Sequence, residues 1–230
     1  MAASSAETSY SFTSRSGAGL EAYRQACAAS PNVPWQLWHV GSDDEHFAFG
    51  APNHSPDVRI SFLNPYVIPA SLLAVAKGSA FNIHHAPPTH PGRNPQHFAF
   101  YKGAISTVAT LHRMSNAVEA RAIIDVSEEP LDRSLGVMRF IEEAELLSIA
   151  LLLKHLNRLL EGSVRPQTGR QWRSGARTTR KQVLEMYWTD ASMDAAEVQR
   201  RIESFFNPAS RSISMDVHGH RFVYEPEGDD

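Results

Sequence analysis

Residues 79–93 read S-A-F-N-I-H-H-A-P-P-T-H-P-G-R, and the rest of the chain is organised around them. Ala80, Phe81 and Ile83 are apolar, whereas Asn82 and His84 alternate with them and so project from one face of an extended chain. Pro87, Pro88, Pro91 and Gly92 then forbid any continuation as strand or helix. The pattern predicts a short buried strand that delivers an amide and an imidazole to its carboxyl end and breaks into a loop. An amide there can donate to a carbonyl oxygen that becomes negative, and an imidazole can take the proton of the nucleophile that attacks it.

Working outward, segments from Tyr10 to Thr13, Trp35 to Val40, Val58 to Leu63, Thr107 to Met114 and Ala122 to Val126 read as strands. Leu20 to Ala29, Ser71 to Ala76, Gln96 to Tyr101 (closed by Gly103) and Leu135 to Glu161 (capped by Gly162) read as helices between and after them. Alternating strands and helices argue for an α/β domain with a Rossmann-like, largely parallel sheet, in which ligands bind beyond the carboxyl ends of the strands. That domain is expected over residues 1–162. Residues 163–180, rich in Arg, Gln, Ser and Gly, read as a linker crossing the surface. A helix from Asp194 to Phe206 and a hairpin of Ser212 to Val217 with Arg221 to Tyr224 then make a small C-terminal α+β subdomain over residues 181–230.

Composition bounds the function. The 230 residues are 42% hydrophobic and 20% charged, enough for a proper core, and the net charge of −3 is scattered, with no basic footprint of the kind nucleic acid requires. The single cysteine, Cys27, rules out an internal disulfide and a multi-thiolate metal centre. No apolar run approaches the roughly 20 residues that span a bilayer, and residues 1–9 are a small, polar tail without a basic, apolar leader, so a cytoplasmic, membrane-free protein is expected. Asp43, Asp44, Glu45, His46 and His54 lie in a loop-like run whose spacing matches no closed ligand pattern, and no metal is expected. A homodimer is left open.

The N-I-H run, the P-P-x-x-P-G-R turn and the later Q-H-F-A-F-Y-K-G and A-T-L-H-R-M together resemble the folate-dependent formyltransferases, the group of glycinamide ribonucleotide, methionyl-tRNA and amino-sugar N-formyltransferases. The resemblance implies a catalytic set of Asn82, His84 and, aligned on His112, Glu119 where the family usually has Asp. It implies that 10-formyltetrahydrofolate is the formyl donor and that the acceptor is an amine or hydroxylamine of a small metabolite such as an amino sugar or amino-acid derivative. The alternatives are the same folate-type scaffold used for another one-carbon reaction or formylfolate hydrolysis, or a non-catalytic binding protein. It makes N-P-Y-V-I-P a loop whose Asn64, Tyr66, Val67 and Ile68 face the folate, with Pro88 and Gly92 on the opposite loop, and His112 a structural or pocket-lining residue. One branch of the family holds a phosphate in a Gly-Asn-rich turn near the start of the chain. Here Arg15, Ser16, Gly17 and Gly19 occupy it without an Asn, and a plain strand-to-helix turn is the stronger reading. R-x-I-E-S-F-F-N-P followed by a strand and G-x-R-F resembles the small C-terminal subdomain of the methionyl-tRNA and amino-sugar branches.

Overall fold

In the computed structural model the described residues are 10–14, 17–39, 57–64, 68, 70–74, 79–114, 122–166, 169–173, 175 and 177–226. The N-terminal tail, Arg15 and Ser16, the 41–56 loop with its acidic and histidine residues, Tyr66, Val67 and Glu119 lie outside them.

Chain order is β1 (Tyr10–Ser14), α1 (Gly17–Ala29), β2 (Trp35–His39), β3 (Val58–Phe62), α2 (Ala70–Ala74), β4 (Ala80–His84), α3 (Pro95–Tyr101), β5 (Ser106–Arg113), β6 (Ile123–Pro130), α4 (Gly136–Leu160), α5 (Arg180–Met186), β7 (Trp188–Thr189), α6 (Ala195–Phe205), β8 (Ser214–Val217) and β9 (His220–Val223). The main sheet has six strands in the order β2-β1-β3-β4-β5-β6. β1, β2, β3 and β4 are parallel, as expected of the α/β pattern, but β5 pairs antiparallel with both β4 and β6. The sheet is therefore mixed. The reason lies in α3, only 7 residues long, which packs on α4 and α6 instead of carrying the chain back along a sheet face.

β3 is buried along its whole length, as a central strand covered on both faces must be. The core joins Phe12, Ile60, Phe62, Phe81, Ile83, Ala109 and Leu111 of the sheet to Ala22 and Ala26 of α1 and to Leu151, Leu152, Leu156 and Leu159 of α4. Those α4 residues recur at helical spacing, with Val137, Phe140 and Ala144 extending the stripe toward its start. Full burial of a Leu or Phe contributes roughly 1.5–3 kcal/mol, more than propensity supplies across several turns, so packing holds the helix in place. Gly162, with φ of 66°, supplies the left-handed residue that ends it.

The second sheet, β7-β8-β9, has β7 parallel to β8 and β8 in a hairpin with β9. α5 starts at a reciprocal cap in which the Thr179 side chain accepts from the Gln182 backbone and the Gln182 side chain accepts from the Thr179 N–H. α6 starts at Asp194, which caps the Glu197 N–H at 2.7 Å. This C-terminal region is bolted to α3: Tyr101 Oη donates to both oxygens of Glu197 at 2.8 Å, Arg201 Nε donates to the same carboxylate at 2.7 Å, and Phe98, Val183 and Phe205 share one cluster. The C-terminal region thereby bears on the helix that begins beside the site.

Candidate active site

Asn82 and His84 sit on the same face at the end of β4, in register with His112 and Thr110 of β5. Asn82 Nδ2 lies 3.1 Å from His112 Nε2, and His112 Nδ1 lies 3.1 Å from the Arg113 carbonyl oxygen. A carbonyl only accepts, so His112 carries its proton on Nδ1, and its Nε2 accepts from the Asn82 amide. One N–H of Asn82 is thereby anchored, which fixes which end of the amide is nitrogen and which is oxygen. His112 is 1% exposed, so this bond to Asn82 is buried on its side.

The chain leaving β4 is held just as closely. Thr110 Oγ1 donates to the Ala86 carbonyl at 2.7 Å, and His84 Nε2 makes a long contact, 3.4 Å, with the His90 carbonyl. The Pro-rich loop is then pinned from outside by residues of the segment expected as a surface linker. Arg173 N donates to Pro88 O at 3.0 Å, Thr178 N to Pro91 O at 3.0 Å and Arg93 N to Thr178 O at 3.1 Å. Thr178 is buried, and Trp172 presents its ring edge-on to His84 (centroids 5.8 Å apart, 63°) and to His112 (5.0 Å, 87°). Arg173 and Thr178 thus strap the loop, and Trp172 beside them sets an indole against the imidazole of β4. Sequence reasoning missed Trp172; a lone large aromatic in an otherwise polar run was the available signal.

A cavity of about 280 Å³ opens beside the pair. Asn64, Asn82, His84 and Gly92 line it together, along with His85, Arg93, Gln96 and His97. Leu63, with φ of 48°, turns the chain at the end of β3 and brings Asn64 to this rim. Ile68 is buried at 7% exposure, and Pro88 lies on the other side of its loop, at a separate depression with Lys102 and Arg170. Burial, with His84 and His97 nearby, pushes the His85 imidazole down to about 3, so it is neutral across the physiological range. Burial also lowers His97, whose Nδ1–H donates to the Ser204 carbonyl at 2.6 Å and whose ring stacks on Phe205 (5.5 Å, 19°); it joins the site to α6.

An imidazole–carboxylate pair, Asp125 and His155, faces the other way. Asp125 pairs in register with Leu111, on the α4 face of the sheet, and accepts from His155 Nε2 at 2.7 Å and Lys154 Nζ at 2.8 Å. Desolvation pushes the carboxyl up, but the Lys154 and His155 bonds and the Val126 amide outweigh it and hold the carboxyl at about 2. A folded value below the ordinary value of about 3.9 stabilises the fold above pH 4, and that contribution is lost as pH falls toward 2. Asp125→Asn is therefore less stable than the native chain at pH 7, and the gap narrows between pH 4 and 2. Denaturant unfolding over that range checks it, and a gap independent of pH would contradict it. No group of three or more His, Cys, Asp or Glu among the described residues is arranged to hold a metal, and no described helix is long and apolar enough to cross a membrane.

No family model matches the chain. A methionyl-tRNA formyltransferase of Limosilactobacillus fermentum is 32% identical over 125 residues, which is 50% of this chain and 40% of that enzyme. The match thus spans less than half the length of that relative. A sugar N-formyltransferase from Shewanella superposes with a TM-score of 0.77 at 13% identity, covering 95% of this chain and 97% of its own. The chain has the formyltransferase fold. A second structure with this fold, an N-formyltransferase from Helicobacter canadensis in complex with folinic acid and dTDP-3-aminofucose, superposes with a TM-score of 0.68 at 11% identity over 92% of this chain and 85% of its own. Within the formyltransferase frame, the paired Asn82 and His84 stand at the end of β4, beside the turn at Leu63 and Asn64 that leads into the predicted folate loop.

Proposed function

We propose that the protein transfers a formyl group from 10-formyltetrahydrofolate to the primary amine of a small acceptor, an amino sugar being the best-supported class. The observation that carries this is the Asn82–His112 bond, which fixes an amide on the lining of the cavity that His84 also lines. That is the donor set an acyl transfer requires. The folate supplies an activated formyl carbon. Asn82 donates to the formyl oxygen as it gains charge, His84 takes the proton the amine loses on attack, and the same proton is returned to the leaving nitrogen. The bond from amine to formyl carbon forms, the bond from that carbon to the folate nitrogen breaks, and no proton is left over. Glu119 completes the set by orienting the imidazole, in the place where the family has a shorter Asp. Asn64, Tyr66, Val67, Ile68, Pro88 and Gly92 are proposed to hold the donor. The amino-sugar class rests on the Helicobacter relative, whose complex contains dTDP-3-aminofucose with folinic acid.

The test pairs binding with turnover. A non-reactive folate analogue at about 100 times its Kd stabilises the protein by roughly 2.7 kcal/mol, read as a rise in Tm. With formyltetrahydrofolate and dTDP-3-aminofucose, formamide product appears and depends on the amine. Formate release that ignores the amine would instead mark a hydrolase, and the absence of both a folate-dependent shift and turnover would sink the proposal.

A further inference from the structure

Trp172 is the one residue of 169–173 that is not exposed. A large aromatic side chain ordinarily buries itself in the apolar core, yet Trp172 belongs to none of the three apolar clusters of the described residues. The described rings it meets are two imidazoles, those of His84 and His112, at centroid distances of 5.8 and 5.0 Å. Both contacts are T-shaped, at 63° and 87°, an arrangement that aromatic rings favour within about 4.5–7 Å. The backbone beside the indole is fixed as well, because the next residue, Arg173, donates its N–H to the Pro88 carbonyl. By contrast, the contact of His84 Nε2 with the His90 carbonyl, at 3.4 Å, lies beyond the range of roughly 2.7–3.2 Å in which an N–H···O bond is strong.

We propose that Trp172 is a positioning residue: its indole sets the orientation of the His84 imidazole that takes the amine's proton. The proposal rests on the formyl-transfer reading in giving His84 that role. A T-shaped aromatic pair shifts an equilibrium between side-chain orientations by roughly two- to tenfold. That is the scale that decides whether a rotatable imidazole keeps one rotamer or shares its time among several. The same indole meets His112, whose Nε2 accepts from Asn82. One side chain therefore bears directly on the ring of His84 and, through one further ring, on the amide of Asn82. Trp172 is not part of the lining of the cavity, so it supports the imidazole without filling the space that substrates need. It also lies beyond α4, which makes the segment that follows the α/β domain part of the catalytic arrangement.

The test compares Trp172→Phe, which keeps a ring, with Trp172→Leu, which keeps only apolar bulk. In the full chain, NMR follows the imidazole C–H resonances of His84, identified by their loss in His84→Ala. The ring current of the indole displaces them in the native protein from the positions of an exposed histidine. Trp172→Leu returns them toward those positions, and Trp172→Phe keeps them displaced. With formyltetrahydrofolate and dTDP-3-aminofucose, Trp172→Leu lowers kcat roughly tenfold and leaves KM for either substrate within about twofold. Trp172→Phe restores kcat to within about threefold of native. A merely structural indole gives a lower Tm with native resonances and native kcat below the transition, and that result overturns the proposal. A loss of kcat shared equally by the two variants, or a rise in KM without a fall in kcat, overturns it as well. Resonances that do not move in Trp172→Leu overturn it whatever the turnover. Should Trp172→Leu fail to fold, Trp172→Met is read by the same measurements. If the native chain transfers no formyl group to the amine, the formyl-transfer reading falls, and the proposed orienting contact is judged by the resonances alone.

Discussion

His84→Ala lowers the rate constant for formyl transfer by roughly 10²–10⁴-fold while leaving folate binding and Tm nearly unchanged. The imidazole is half-buried at the end of β4, outside the apolar cluster formed by Phe81 and Ile83 on the neighbouring positions, so truncation removes a proton acceptor without opening the core. Its edge-on neighbour Trp172 and the His90 carbonyl lose a contact each, and neither is a large stabilising term. Asn82→Ala is the companion experiment. It removes the donor aimed at the developing oxyanion and orphans His112 Nε2, and costs roughly 10²–10³-fold in kcat. The two losses differ in kind, since added imidazole rescues part of the His84→Ala deficit and none of the Asn82→Ala deficit. Near-native turnover by His84→Ala on a true acceptor would remove His84 from the chemistry.

Gly92→Ala carries the other large effect, and it acts on the scaffold. Gly92 has φ of 110°, a backbone conformation that residues with a Cβ rarely adopt. It is bridged to Thr178, and a Cβ there would lie 2.4 Å from Thr178 O and 2.5 Å from Thr178 N, both backbone atoms that cannot swing aside. The loop and the strap must therefore separate. Strain at the new side chain costs about 1–3 kcal/mol, and the hydrogen bonds that tie Pro91 and Arg93 to Thr178 are worth about 0.5–1.5 kcal/mol each. A total near 2–6 kcal/mol lowers Tm by roughly 4–24 °C. Because the strap also places Trp172 against His84, a shift of about 1 Å in that loop lowers turnover on the order of 10²-fold. Faster amide exchange at Arg93, Arg173 and Thr178 localises the damage. Native exchange at those amides together with native turnover would show that the bridge is dispensable.

How much of this was legible beforehand follows from the range of each interaction. The alternation of Asn82 and His84 with apolar neighbours, the long apolar stripe of α4 and the glycine that ends it are patterns with periods of two and 3.6 residues, and a linear chain displays them directly. The motif around β4 went further, because its residue types suit one reaction and resemble one family. The reciprocal cap at Thr179 and Gln182 is equally local, but it follows a polar run with no apolar period to announce a helix.

What only the tertiary structure decided depends on residues far apart in the chain. The direction of β5 follows from where α3 packs, and with it the register that sets His112 opposite Asn82. Asp125 and His155 belong to the α4 face because of that same register, which no spacing in the sequence displays. Whether Trp172 lies in solvent or against His84 depends on the strap that Arg173 and Thr178 tie across the loop. The sequence alone determined which side chains could do chemistry, since residue type and local period are properties of the chain. Their partners, burial and shared cavity arose only when strands and loops distant in sequence were packed together, because hydrogen bonding and desolvation depend on distance in space.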